Sequence, residues 1–235
     1  MPPSPQTPPR GAKTLNTGLR LLWELQQRPD GLTHTELAQR LDIERTAVYR
    51  MLGTLQAQRM VTKTESGRYY LGLGLVELAR AVQPQLREAA SLELRSLADS
   101  CGATAFVTSL DGDDEAVVIA VEEPSRTVAH VAYRIGFRHS ATRGASGIAI
   151  LAGRPARPGE RTEITEARRN GYSVTSGELQ AGAWGLAVPI TPGDAPAQAS
   201  VGIVSIGELG EEDVLPSVLA TASSIAHTLP QPLPR

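Results

Sequence analysis

The chain has 235 residues, of which 41% are hydrophobic, 20% charged and 4% aromatic, with a formal net charge of −2. That length suits one or two domains, and the composition suits a folded globule whose core rests on Leu, Val, Ile and Ala. No run reaches the roughly 18 apolar residues a membrane span needs. The Pro-rich start Met1–Pro9 lacks the apolar stretch of a secretory signal, and the single cysteine, Cys101, excludes an internal disulfide framework and a Cys-rich zinc site. A reducing, cytoplasmic setting is the simplest expectation.

Charge is uneven along the chain. Residues 1–75 hold ten Lys/Arg against six Asp/Glu, whereas residues 76–235 hold thirteen against nineteen. A basic first third on an acidic remainder suggests that only the first part meets a polyanion.

Residues 1–13 are Pro-rich and aperiodic and read as a disordered arm. Residues 14–73 read as a winged helix-turn-helix. Leu15, Leu19, Leu22 and Leu25 recur at helical spacing, which predicts a first helix from Leu15 to Gln27, ended by Pro29-Asp30-Gly31. Thr33-His34-Thr35-Glu36 matches a capping box and opens a second helix with Leu37, Ala38 and Leu41 inward. After the turn Asp42-Ile43, a third helix starts near Glu44 and turns Val48, Met51, Leu52 and Leu55 inward. Its opposite face carries Arg45, Thr46, Tyr49 and Arg50. A helix of that size fits the B-DNA major groove. Forked arginine donors suit guanine edges or phosphates, while Thr46 and Tyr49, with Thr35 at the preceding helix start, suit phosphate or a thymine methyl. Met60–Lys63 and Arg68–Leu71 flank the turn Thr64-Glu65-Ser66-Gly67 as a β-hairpin, which puts Lys63 and Arg68 on a wing beside DNA. The plainer alternatives, a solvated helix face and a winged helix used for protein contacts, stay open at this point.

Residues 74–84 read as a linker helix and 85–229 as a second, larger domain, with a loose tail at 230–235. A helix is expected from Gln85 to Ser100, bearing Leu86, Leu92, Leu94 and Leu97. Strands are expected at Ala103–Leu110, Ala116–Val121 and Thr127–Tyr133. A short helix follows at Ser146–Ala152, a loop at 153–161 and a helix at Thr162–Asn170 closed by Gly171. Tyr172–Thr175, Trp184–Ile190 and Ser200–Ile206 read as strands. The helix Glu211–Leu229 comes last, its buried stripe formed by Leu215, Val218, Leu219, Ala222, Ile225 and Ala226. Elements in this order describe an α+β fold with helices packed on a sheet.

Residues Gly31–Val61, "GLTHTELAQRLDIERTAVYRMLGTLQAQRMV", resemble the helix-turn-helix of the IclR (isocitrate-lyase regulator) family of bacterial transcription regulators. Gly67–Ala79, "GRYYLGLGLVELA", is similar to that family's wing and linker helix. Ala167–Val174, Gly185–Ile190 and Ser200–Ile206 resemble segments of its effector domain, in the expected order. The resemblance covers roughly residues 14–229. It implies a GAF-like α+β effector domain that binds a small molecule, often a carboxylate or an aromatic compound. It also implies homodimers or tetramers that bind palindromic operator DNA as repressor or activator. This chain departs from the family pattern in three places. It is short between Ala152 and Thr162, Gly185 stands where Cys is frequent, and Thr142 stands near a usual His.

Candidate effector residues follow from chemistry and position. Arg143, Gly144, Ala145 and Ser146 sit at a glycine-rich helix start, where a forked cation and free amides suit an anion. Trp184, Tyr133 and Phe106 are candidate cavity walls, and Ser205 is a polar residue in an apolar strand. For each, a surface ion pair, a simple cap or core packing is the plainer reading, and Glu178 reads as a solvated turn residue. Two rival functions remain open: a second domain that only oligomerises, and an enzyme with an accessory winged helix. The enzyme reading is poor. Gly144-Ala145-Ser146-Gly147 has Ile148 where a nucleophile elbow needs Gly, Gly72-Leu73-Gly74 has Glu77 where a dinucleotide fingerprint needs Gly, and His34, His130, His139 and His227 lack ligand spacing. No metal, catalytic residue or cofactor is expected.

Overall fold

The computed structural model describes residues 11–127 and 130–230. Packing divides the chain into two compact units, one through Pro84 and one from Gln85.

The first unit begins with α1 (Lys13–Gln26), which buries Thr17, Gly18, Leu21 and Leu25. The expected seam was different: Leu15 is 64% exposed and Leu19 49%. Leucines lie on both sides of this helix, so two stripes satisfy helical spacing and only tertiary packing chooses between them. Lys13, expected in the arm, is the first residue of the helix, and residues 1–10 of that arm lie outside the described residues. A short strand, β1 (Leu32–Thr33), leads into α2 (His34–Leu41). The capping box is complete: the Glu36 N–H donates to Thr33 Oγ1 at 3.2 Å and the Thr33 N–H to Glu36 Oε2 at 2.7 Å. Asp42, in the left-handed region at φ 53°, ends α2. Then α3 (Arg45–Ala57) begins, with Val48 and Leu52 fully buried and Met51 and Leu55 packed at the core's rim. The hairpin β2 (Val61–Lys63) and β3 (Arg68–Leu71) pairs antiparallel, and β1 joins the far side of β3. α4 (Gly74–Arg80) closes the unit.

The second unit is a six-stranded antiparallel sheet in the order β6-β5-β4-β9-β8-β7. Its strands are β4 (Thr104–Asp111), β5 (Glu115–Glu122), β6 (Arg138–Ser140), β7 (Ser173–Ser176), β8 (Ala183–Ile190) and β9 (Ala199–Ile206). One face carries Ala105, Val107, Leu186, Val188, Val201 and Ile203 against α5 (Pro84–Cys101) and α8 (Glu211–Thr228). On the other face lie α6 (Gly144–Ala152) and α7 (Thr162–Asn170), which bury Ile148, Leu151, Ile164 and Ala167. α6 is buried along its whole length. Its tight seat explains Gly147, where an added Cβ would lie 2.5 Å from the Ala141 carbonyl oxygen.

Several expectations need correction. The described part of Thr127–Tyr133 forms no strand, while Val128 and Ala129 lie outside the described residues. The segment is instead held by its side chains: Val131 packs with Phe106, Val118 and Val204, and Thr104 Oγ1 donates to the Val131 carbonyl at 2.8 Å. The strand that edges the sheet is β6, only three residues long, paired with β5 and pinned by Arg138 to Glu115 of β5 and Asp111 of β4. Leu219 on α8 is 43% exposed and Leu92 on α5 is 84% exposed, so Val214 and Thr221 complete the seam of α8. Between Ala152 and Thr162 there is no helix. No helix among the described residues is long and apolar enough to cross a membrane.

Candidate functional site

In the first unit, α3 exposes one polar face. Arg45, Thr46, Tyr49 and Arg50 are all exposed, Tyr49 by 62%. None of their side chains has a hydrogen-bond or ion-pair partner among the described residues. Arg45, Thr46 and Arg50 flank an open groove that α1 borders through Lys13, Thr14 and Thr17 and the helix turn through Asp42, Ile43 and Glu44. Thr35 is half-buried, its hydroxyl 3.5 Å from the His34 ring. On the hairpin, Lys63 is exposed and lies over the Tyr69 ring at 5.6 Å. Arg68 is tied inward: its Nη1 donates to the Gly31 carbonyl at 2.8 Å and pairs with Glu36 at 3.5 Å. Two hydrogen bonds from Thr33, aided by the charges of Arg68 and Arg40, hold the Glu36 carboxyl below its usual range. Arg68 thus links the wing to the capping box instead of reaching outward. Sequence reasoning missed Lys13, which faces the same groove as the two recognition-helix arginines.

In the second unit a narrow cavity, about 40 Å³, lies at the start of α6. That is room for little more than one water. Of the expected effector residues, Phe106, Tyr133, Ala145 and Ser146 border it; Trp184 adjoins it along β8, but its side chain packs with Leu186 and Val188 on the other face, and Arg143, Gly144 and Ser205 do not border it. Ser205 is on the wrong face. Strand side chains alternate, so Val204 faces the cavity while Ser205 faces the other way and donates to the Gly207 carbonyl at 2.7 Å. The anion-binding reading of the helix start also fails, because the protein fills that place itself. The Gly144 N–H donates to Glu178 Oε2 at 2.6 Å and the Ala145 N–H to Thr175 Oγ1 at 3.0 Å. Arg143 donates to the Glu178 carbonyl, and Arg161 Nη2 reaches Glu178 Oε1 at 2.9 Å. Glu178 is therefore a cap and an ion-pair partner, with a side chain 22% exposed, not a solvated turn residue. Burial would raise its pKa, but the Arg161 guanidinium and the Gly144 N–H outweigh burial and hold it below its ordinary value. Leu179, next in that loop, closes over Gly144: a Cβ there would meet Leu179 Cδ1 at 2.5 Å, and φ of 73° is already left-handed.

Behind the cavity stands a polar chain. His139 Nε2 lies 3.1 Å from Ser146 Oγ, and its Nδ1 lies 2.9 Å from the Ser140 carbonyl. Burial pushes the Tyr133 phenol up to about 12. Burial, with the charge of Arg143, also lowers the His139 pKa. The rings of Phe106 and Tyr133 meet edge to face at 4.8 Å. Thr175 and Leu179 were missed because a strand and a loop distant in sequence bring them to the cavity. The described residues contain no group of three or more His, Cys, Asp or Glu placed to hold a metal ion.

Residues 14–65, the stretch that presents the exposed α3 face, match the family model described as the IclR helix-turn-helix domain. The first unit therefore carries an IclR-type helix-turn-helix. Among the chain's relatives is the HTH-type transcriptional regulator Rv1719 of Mycobacterium tuberculosis, 30% identical over 146 residues. That match spans 62% of this chain and only 56% of the relative. The HTH-type transcriptional regulator KipR of Bacillus subtilis is 25% identical over 228 residues, spanning 87% of this chain and 90% of that one. An IclR homolog from Microbacterium hydrocarbonoxydans, solved in complex with 4-hydroxybenzoate, shares the fold with a TM-score of 0.77 at 20% identity, over 92% of this chain and 98% of that chain. Rv1719 and KipR are both described as HTH-type transcriptional regulators. The first unit matches the IclR helix-turn-helix, and the α+β second unit shares the fold of these solved structures.

Proposed function

We propose that this protein is a ligand-responsive, DNA-binding transcription regulator that works in the cytoplasm as a homodimer or tetramer. The observation that carries it is the face of α3: Arg45 and Arg50, with Thr46 and Tyr49 between them, are exposed and unpartnered on a helix of major-groove size. An exposed cation without a protein partner is available to a phosphate or a guanine edge. Lys63 adds a phosphate contact from the wing. A two-fold dimer places two such helices about one DNA turn apart on a palindromic operator. The small molecule acts by binding one arrangement of the protein better than another; a ligand with equal affinity for both shifts nothing.

For the effector, the cavity bordered by Phe106, Tyr133 and Ser146 is the best-supported place. Its walls are aromatic with a few hydroxyls, which suits a small aromatic compound. The 4-hydroxybenzoate bound by the Microbacterium relative is of that class. Entry requires the loop with Leu179 to move, because about 40 Å³ holds no aromatic ring. The same small volume supports a second reading, in which this unit only oligomerises.

Two measurements test these readings. Binding to promoter fragments from the protein's own genome should weaken steeply with salt, since each neutralised phosphate releases counterions. Salt-independent binding, or none to any fragment, removes the DNA-binding reading. A thermal-shift titration with 4-hydroxybenzoate, run on wild type and on Leu179→Ala, addresses the cavity. Stabilisation that is stronger in the variant supports an effector site, and no shift in either supports the oligomerisation reading.

A further inference from the structure

Glu178 is the one charged residue among the described residues that border the cavity at the start of α6. We propose that this cavity selects an uncharged aromatic effector and turns away its carboxylate analogue, because Glu178 already holds the place and the donors that an anion needs. The proposal rests on the effector-cavity reading above and names the ligand charge which that reading leaves open.

An aromatic carboxylate gives up hydration on entering such a cavity, and it must meet charged partners or backbone N–H groups in exchange. Both kinds are taken. The Gly144 N–H donates to Glu178 Oε2 at 2.6 Å and the Ala145 N–H to Thr175 Oγ1 at 3.0 Å. Arg161 shares its guanidinium between Glu178 at 2.9 Å and Glu163 at 2.7 Å, and also donates to the Thr142 carbonyl. Two carboxylates on one guanidinium leave negative charge in excess. Arg143 is exposed, does not border the cavity, and donates to the Glu178 carbonyl. The Glu178 pKa lies below its ordinary value, so the group is ionised at neutral pH, and a second carboxylate beside it meets like charge in a poorly solvated place. Three donors anchor Glu178, from Gly144, Arg161 and Arg143, whereas Leu179 closes the cavity with an apolar side chain. Leu179 can therefore swing aside for a ligand while the carboxylate stays. The other hydrogen-bonding side chains at the cavity, Tyr133, Ser146, Thr175 and Gln180, are neutral and serve a hydroxyl or an amide.

The experiment uses the full chain and two probes of one shape: 4-hydroxybenzoate, ionised at neutral pH, and 4-hydroxybenzamide, which is not. Dissociation constants are measured for wild type, Glu178→Gln and Arg161→Ala. Wild type should bind the amide roughly tenfold more tightly. Glu178→Gln removes the negative charge, so the ratio of affinities should fall toward unity. Arg161→Ala leaves that charge uncompensated, so the ratio should widen. A loop that is merely loosened weakens both probes together and keeps the ratio in both variants, which would overturn the proposal. Wild type alone carries the first comparison, so a variant that fails to fold leaves the proposal falsifiable. Equal affinities of wild type for the two probes, or tighter binding of the benzoate, overturn it and leave the effector cavity standing. If neither probe binds wild type or Leu179→Ala, the cavity is not an effector site, and the proposal falls with that reading.

Discussion

The Glu178 carboxylate accepts the Gly144 N–H at 2.6 Å and so occupies the start of α6 with a charge from the protein's own β7–β8 loop. The same carboxylate pairs with Arg161, which also donates to the Thr142 carbonyl at 2.6 Å. One side chain therefore ties the loop, the helix start and the 153–161 segment together.

Removing that tie should cost stability in the second unit. Glu178→Ala is expected to lower its unfolding free energy by about 1–2 kcal/mol, the range for loss of a helix cap. Urea unfolding at neutral pH measures it. An unchanged midpoint shows the cap to be dispensable.

The Glu178 pKa is lowered in the fold, so the unfolded chain takes up its proton first as pH falls. Its stabilisation is full above the ordinary carboxylate value of 4.5 and is lost as pH drops through that value and below. Glu178→Gln should therefore unfold with a shallower pH dependence than wild type below about pH 5. Parallel curves would mean that Glu178 is not coupled to folding.

The two arginine environments of the first unit predict opposite phenotypes. Arg50→Ala should weaken operator binding and lower the slope of log affinity against log salt by about one, with no change in melting temperature. Arg68→Ala should lower the melting temperature, because the Gly31 carbonyl and Glu36 lose their partner. Filter binding and calorimetry on the same two variants decide the matter. A thermally silent Arg68→Ala with a reduced salt slope would return that residue to the DNA surface.

Two glycines should respond with opposite sign. An added Cβ at Gly147 meets the Ala141 backbone at 2.5 Å, so Gly147→Ala is expected to destabilise by about 1–3 kcal/mol. Gly18, inside α1, has nothing within 4 Å of the added atom, so Gly18→Ala should stabilise by about 0.5–1 kcal/mol. Chemical unfolding of the two variants reads both signs.

Local signals in the sequence carry much of this molecule. The capping box at Thr33–Glu36, the apolar spacing of Val48, Leu52 and their neighbours, and the hairpin turn each act within a few residues, and periodicity reports them directly. From that pattern the exposed face of α3 follows by subtraction. The strands of the second unit are legible as short apolar runs, since helices cover both faces of the sheet and β4 and β9 are buried on both sides.

What only the tertiary structure decided is which of two equivalent patterns is used and which distant residues meet. Leu15 and Leu19 have the same spacing as Leu21 and Leu25, and packing against α2 and α3 buries the second pair. Ser205 and Val204 are one residue apart, and the facing of the strand sends one to the cavity and the other away. His139 reaches Ser146, and Glu178 reaches Gly144, only because the sheet and its loops close over α6. Such meetings depend on chain segments with no local relation, so no period or motif encodes them, and a hydrogen bond across 34 residues exists only once the fold has brought its two ends together.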